Sequence, residues 1–130
     1  MQRNNHTSLL NDTLVELGKR PELGFFWKQN TGGARAMNDP DTIITYGLPG
    51  SHDITGLINN GHATRAEIEI KTGTGSLSES QKTFRFRFTS YQGHFVFTVH
   101  AKNPSENMAV IEGLISEIQS FIERTKCKMS

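Results

Sequence analysis

The stretch ATRAEIEIKTGTG, Ala63 to Gly75, constrains this chain more than any other. Glu67, Glu69 and Lys71 alternate there with Ile68 and Ile70, and successive side chains of a strand point to opposite faces. Read as a strand, the stretch puts two isoleucines on one face and two carboxylates with an ammonium on the other. The isoleucines ask for a core beneath a sheet. The charged strip has two readings. Taken alone, EIEIK is what any half-exposed strand shows, a solvated face. In company with other polar residues, it is one wall of a built site.

The chain has 130 residues, enough for one compact domain, read as residues 1–130. Apolar residues make up 35 %, and eight phenylalanines and one tryptophan carry much of the apolar area. With 14 basic and 13 acidic residues the net charge is +1. That excludes a strongly basic nucleic-acid coat but leaves room for a local basic patch. The single cysteine, Cys127, rules out a disulfide framework within the chain and points to a reducing cytoplasm. No apolar run approaches the ~18 residues of a membrane span. The opening MQRNNHTSLLNDT has no signal-peptide pattern.

Leu10, Leu14 and Leu17, flanked by Leu9 and Val15, predict a helix from about Thr7 to Lys19, ended by Gly18 and Pro21. GFFWKQN reads as a strand and TGGARAMNDPDT as a loop, with IITYG a short returning strand. HDITGLINNGHATRAEIEIK reads as a hairpin turning at Asn60-Gly61 in a type I′ turn. In that register Asn59 pairs with His62 and Asp53 falls opposite Ile68, one place short of Glu69; a bulge or diagonal reach would bring the carboxylates together. SLSESQKTFRFRFTSYQGH carries opposing signals. FRFRF alternates like a strand, but a Ser78/Gln81 capping box and Gly93 frame a helix with Phe84 and Phe88 on one face, and the helix is preferred. HFVFTVH is a strand. A final helix starts near Ser105 with Met108, Ile111, Ile115, Ile118 and Ile122 as its apolar stripe. The order predicts an α/β fold, a small central mixed sheet flanked by helices.

Asp53, Glu69 and Lys71 form the candidate chemical set. Paired carboxylates bind hard cations such as Mg²⁺ or Mn²⁺, and such a cation activates water and stabilises a leaving oxygen in phosphodiester hydrolysis. A neighbouring lysine offsets phosphate charge and eases the repulsion of two like charges. Asp53 follows the glycine-rich YGLPGSHD, where small residues permit close backbone approach to a ligand. WKQNTGGAR offers Lys28, Asn30 and Arg35 around two glycines, either a phosphate-contacting loop or a plain polar turn. His52 reads as a structural hydrogen-bonder, Glu67 as an exposed residue or one behind the site, and Arg85 and Arg87 as a solvated or DNA-facing helix face.

YGLPGSHDITG, AEIEIKTGTGSLSESQ and YQGHFVFTV, in this order and spacing, resemble the virus-type replication-repair nuclease (VRR-NUC) domain of the PD-(D/E)xK nuclease superfamily. The resemblance runs from about Phe26 to Val99, and His52 stands where the superfamily name has proline. It implies a restriction-endonuclease-like fold, with Asp53 and Glu69 as metal-binding carboxylates, the Ile70 carbonyl as a further ligand and Lys71 as the catalytic lysine. Gln81 would face the active site, the capping box being its other reading. Ser51, Lys28, Asn30 and Arg35 would meet DNA. The glutamate common in the family's first helix falls near Asn11, and neither Asp12 nor Glu16 replaces it.

The implied activity is Mg²⁺- or Mn²⁺-dependent hydrolysis of DNA phosphodiesters, leaving 5′-phosphate and 3′-hydroxyl ends, in a bacterial or phage-infected cytoplasm. Stand-alone members of the family are phage and bacterial proteins that resemble homodimers acting on branched DNA. With no appended DNA-binding domain in sight, a two-fold pair of clefts suits the near two-fold symmetry of a four-way (Holliday) junction. The C-terminal helix and the loop from Asn38 to Thr42 are candidate dimer surfaces. The alternatives are a flap, single-strand or restriction-like nuclease, and a catalytically inactive nucleic-acid-binding module.

Overall fold

Leucines at helical spacing build α1 (Asn5–Gly18), which buries Leu9, Leu10, Thr13 and Leu17 and leaves Val15 outside. Then come β1 (Gly24–Lys28), β2 (Gly32–Ala36), β3 (Asp39–Tyr46), β4 (Ile54–Ile58), β5 (Thr64–Thr72), α2 (Glu79–Ser90), β6 (Phe95–Ala101), a 3₁₀ turn (Pro104–Glu106) and α3 (Asn107–Thr125). This computed structural model describes residues 5–29, 32–36, 39–46, 52–74, 77, 79–90 and 95–126, with backbone alone at 32–36, 39–46 and 90.

Four strands make one mixed sheet in the order β1-β4-β5-β6. β1, β4 and β5 pair antiparallel, while β5 and β6 pair parallel. A parallel pair needs a long crossover, and α2 lies within it. FRFRF is therefore helical: the connection outweighs the alternation. The glycine-rich stretch expected as a loop instead contributes β2 and part of β3, a separate antiparallel ladder with a register shift between Arg35 and Ala36. A two-stranded ladder has only edge strands, where glycine and proline are tolerated.

One face of the sheet is the core. Ile54, Ile58, Ala66, Ile68, Ile70, Phe97, Val99 and Ala101 pack with leucines of α1 and with Ile111, Leu114, Ile115, Ile118 and Phe121 of α3. Gly56 lets the Phe26 ring cross β4 on this side; a Cβ there would stand 2.4 Å from Phe26 Cδ1. The α3 stripe differs from expectation at its ends. Met108 is exposed, Leu114 and Phe121 are buried, and Ile122 is only partly covered. Ser105 is not its cap. It sits in the 3₁₀ turn, where the Glu106 carboxylate accepts the Lys102 and Asn103 N–H groups at 2.7 and 3.3 Å.

The β4–β5 connection is also longer than expected. Ile58 pairs with Thr64, so five residues turn the chain rather than two. The Asn60 side chain points inward, donating to Thr64 Oγ1 at 2.7 Å and Thr125 Oγ1 at 2.9 Å, while its carbonyl oxygen accepts the His62 N–H at 3.1 Å. Gly61 and Ala63 take positive φ to close the loop. The register moves by one place: Ile54, not Asp53, faces Ile68. Continued one step, it sets Asp53 across from Glu69 with no bulge.

Candidate active site

The face opposite the core carries the charged strip, and it is not solvated. Glu67 and Glu69 are 1 % and 2 % exposed, nearly as buried as Ile68 and Ile70, which alternate with them. Of the two readings of Glu67, exposed or behind the site, burial rules out the first. α2 closes over this face: Arg85 of α2 donates to Thr98 Oγ1 of β6 at 2.7 Å, and Phe84 meets the His52 ring edge-on at 5.6 Å.

Asp53 lies just before β4, where its carbonyl accepts the Gln29 N–H at 2.8 Å. Its Oδ2 accepts the Ile70 N–H at 2.9 Å. The Ile70 carbonyl lies on the same edge of the strand as that N–H, beyond the start of β4. Burial, helped by the charge of Glu69, raises the Asp53 carboxyl above its ordinary value, against the pull of the Ile70 hydrogen bond and of His6 and His52.

Three side chains hold Glu69. Gln81 Nε2 donates to its Oε1 at 2.9 Å, Lys71 Nζ stands 3.4 Å from the same oxygen, and His52 Nδ1 bonds Oε2. Lys71 also donates to Gln81 Oε1 at 3.1 Å. Gln81 thus bridges lysine and glutamate, the site-facing of its two readings; Ser78, its partner in the other, lies outside the described residues. His52 is fully buried and hydrogen-bonded, the structural role expected of it, and its Nε2 has no partner among the described residues.

Glu67, one pleat along, has a carboxyl raised to about 6 by burial, against a hydrogen bond from Thr55 and the charges of His52 and Arg65. Its Oε2 is likewise unpartnered among the described residues.

Sequence reasoning missed His6, whose Nε2 lies 3.5 Å from Asp53 Oδ1. In the first helix it is this histidine that stands beside Asp53, while the carboxylates of that helix are engaged elsewhere. Asp12 accepts from Asn107 at 3.2 Å, and Glu16 pairs with Lys19 and Arg20 at the far end of α1. The available signal was position: His6 precedes the first buried leucine, Leu9, by nearly one turn.

The expected DNA contacts fare differently. Lys28 is exposed at the end of β1, paired with Ile54, so the pleat puts it on the same side of the sheet as the core, opposite Glu69. Arg35 lies on β2 opposite Ile43, and its side chain is outside the description. Asn30 and Ser51 lie outside the described residues.

Among the described residues, no three or more His, Cys, Asp or Glu side chains gather into a ready metal-ligand group. The donors that do face one another, two carboxylates and a strand-edge carbonyl, are hard oxygens suited to Mg²⁺ or Mn²⁺. Burial first, and the charge of Glu69 after it, raise the Asp53 carboxyl; a divalent cation would supply the missing counter-charge. By donor chemistry the residues fit such an ion.

No protein-family model matches the chain, and neither a curated protein nor a solved structure matches it. The molecule is thus defined by its own architecture: an α/β domain whose four-stranded mixed sheet is flanked by helices and carries a buried Glu69 ringed by half-buried Asp53, Lys71 and Gln81.

Proposed function

We propose that this chain is a metal-dependent DNA endonuclease of the VRR-NUC type on a PD-(D/E)xK fold, acting as a homodimer that resolves four-way junctions. The observation that carries the reading is the treatment of Glu69. A carboxylate buried to 2 % exposure is held by His52, Gln81 and Lys71 and faces a second carboxylate across the strand edge. Burying charge is expensive unless it is paired, so a fold that gathers this much of it where a hydrophobic pair would pack well retains it for chemistry.

Asp53, Glu69 and the Ile70 carbonyl would hold Mg²⁺ or Mn²⁺, which when bound polarises the phosphodiester and stabilises the departing oxygen. The remaining work falls to the chain itself. Gln81 fixes the Lys71 ammonium beside Glu69, where Nζ orients the attacking water and balances phosphate charge. His52 locks the Glu69 carboxylate from behind. Water adds to phosphorus opposite the 3′-oxygen, which departs and takes up a proton, leaving a 3′-hydroxyl and a 5′-phosphate.

Substrate preference and assembly are tested together by comparing four-way junction, flap, single strand and linear duplex, with sedimentation of the free protein. A dimer that cuts the junction in paired nicks is expected. A monomer with no preference for the junction over linear duplex defeats the resolvase reading, and preference for a flap or single strand moves the assignment to that substrate.

A further inference from the structure

The sheet face that carries Glu69 continues past the carboxylates onto β1. Thr55 pairs with both Trp27 and Glu67, and Leu57 pairs with both Phe25 and Arg65. Phe25, Trp27, Leu57 and Arg65 therefore share a face with Glu67 and Glu69. Phe25 is 68 % exposed, although nothing about its position on an edge strand requires an aromatic residue. Its ring lies 5.4 Å from that of Trp27, tilted by 42°, and the Arg65 guanidinium lies over Trp27 at 5.6 Å. Arg65 Nε has no partner among the described residues. Beside Phe25 and Leu57 a shallow hollow runs under the β4–β5 loop, bordered by Asn59 and His62 and with no carboxylate in its lining.

We propose that Phe25, Trp27 and Arg65 form a stacking platform for unpaired nucleotides of a DNA strand that enters the carboxylate site. Aromatic faces take any base, and an arginine stacked on one supplies a cation beside the backbone phosphate. The hollow has room for a base at the Phe25 edge, with Asn59 and His62 as polar groups on its rim. Spacing joins the platform to the site. At ~3.4 Å per residue and ~4.8 Å between strands, Trp27 stands about 8 Å and Phe25 about 14 Å from Asp53, within reach of a few nucleotides. A duplex presents no base faces there, so the platform selects branched or frayed substrates. The stacking argument stands on these side chains alone and rests on the nuclease reading only for where the strand leads.

Trp27 is the only tryptophan, so its fluorescence reports on the platform directly. Short oligothymidylate is titrated in EDTA, where cleavage is off, alongside its duplex with oligodeoxyadenylate. Saturable quenching by the single strand alone is expected, weakened roughly tenfold by Phe25→Ala and retained in Phe25→Tyr. Phe25 is exposed enough for both variants to fold. Absent quenching, equal quenching by duplex, or an unchanged affinity in Phe25→Ala overturns the proposal. So does a change of oligomeric state in Phe25→Ala, which would make the patch a contact between copies. Quenching in EDTA without cleavage in Mg²⁺ would keep the platform and remove the nuclease, whereas junction cleavage without quenching would do the reverse.

Discussion

Glu67 and Glu69 stand two residues apart on one strand face, yet burial treats them differently. Glu69 has three partners, whereas Glu67 keeps one oxygen without any among the described residues, and its carboxyl is raised to about 6 from an ordinary 4.5. The folded state therefore binds this proton more tightly than the unfolded chain. The stabilising contribution is full below about 4.5 and is lost as pH rises through about 6. Glu67→Gln should thus stabilise the protein at pH 8 by on the order of 1 kcal/mol and change little at pH 4; urea unfolding at the two values measures it. At the other oxygen pair, His52 orients Glu69. His52→Ala should weaken Mn²⁺ binding by roughly tenfold or more, read by calorimetry, with His52→Asn losing less because an amide can donate in place of Nδ1.

The residue-scale site was legible where motif spacing is local. Asp53, Glu69, Lys71 and Gln81 were all named from the sequence, and the structure gathers them. His6 was not, because a lone histidine ahead of a leucine pattern carries no periodic signal. Its closeness to Asp53 exists only once α1 has packed against β1 and β5. The burial of Glu67 was equally hidden, since alternation gives the face and not what covers it.

At the scale of elements, the β4–β5 connection decides whether the carboxylates meet. Asn60-Gly61 has the composition of a two-residue turn, but Asn60 turns inward to Thr125, 65 residues away. No local rule anticipates that partner. Asn60→Ala removes one buried and one part-buried donor bond and should destabilise the domain by about 1–3 kcal/mol, seen in thermal melts. If the inward Asn60 sets the register, the variant should also lose metal affinity, because Asp53 would no longer sit across from Glu69. Gly56→Ala tests the neighbouring strand. A new Cβ would strike both the Phe26 ring and the Phe25 carbonyl oxygen, at 2.4 and 2.6 Å, so destabilisation of about 1–3 kcal/mol is expected from overpacking. The β2–β3 ladder escaped the sequence because Gly, Asn, Asp and Pro signal turns strongly, while an edge ladder needs few strand formers.

Across the whole molecule, the sheet divides the work. Its core face is held by α1 and α3, and its other face is roofed by α2, which brings Gln81 to Glu69 through the crossover between parallel strands. The order of the three helices and of the four strands of the main sheet was readable from periodicity, so that part of the architecture followed. No described helix is long and apolar enough to cross a membrane. The central claim is that the Asp53-Glu69-Lys71 cluster cuts DNA. Its most direct test is cleavage of a labelled four-way junction by the wild type and by Lys71→Ala, each in Mg²⁺, Mn²⁺ and EDTA. The account predicts metal-dependent paired nicks from the wild type, none in EDTA, and a rate lower by about 10²–10⁴-fold in Lys71→Ala. Wild-type protein that binds the junction but cuts nothing in either metal, or a Lys71→Ala variant as fast as wild type, would contradict it.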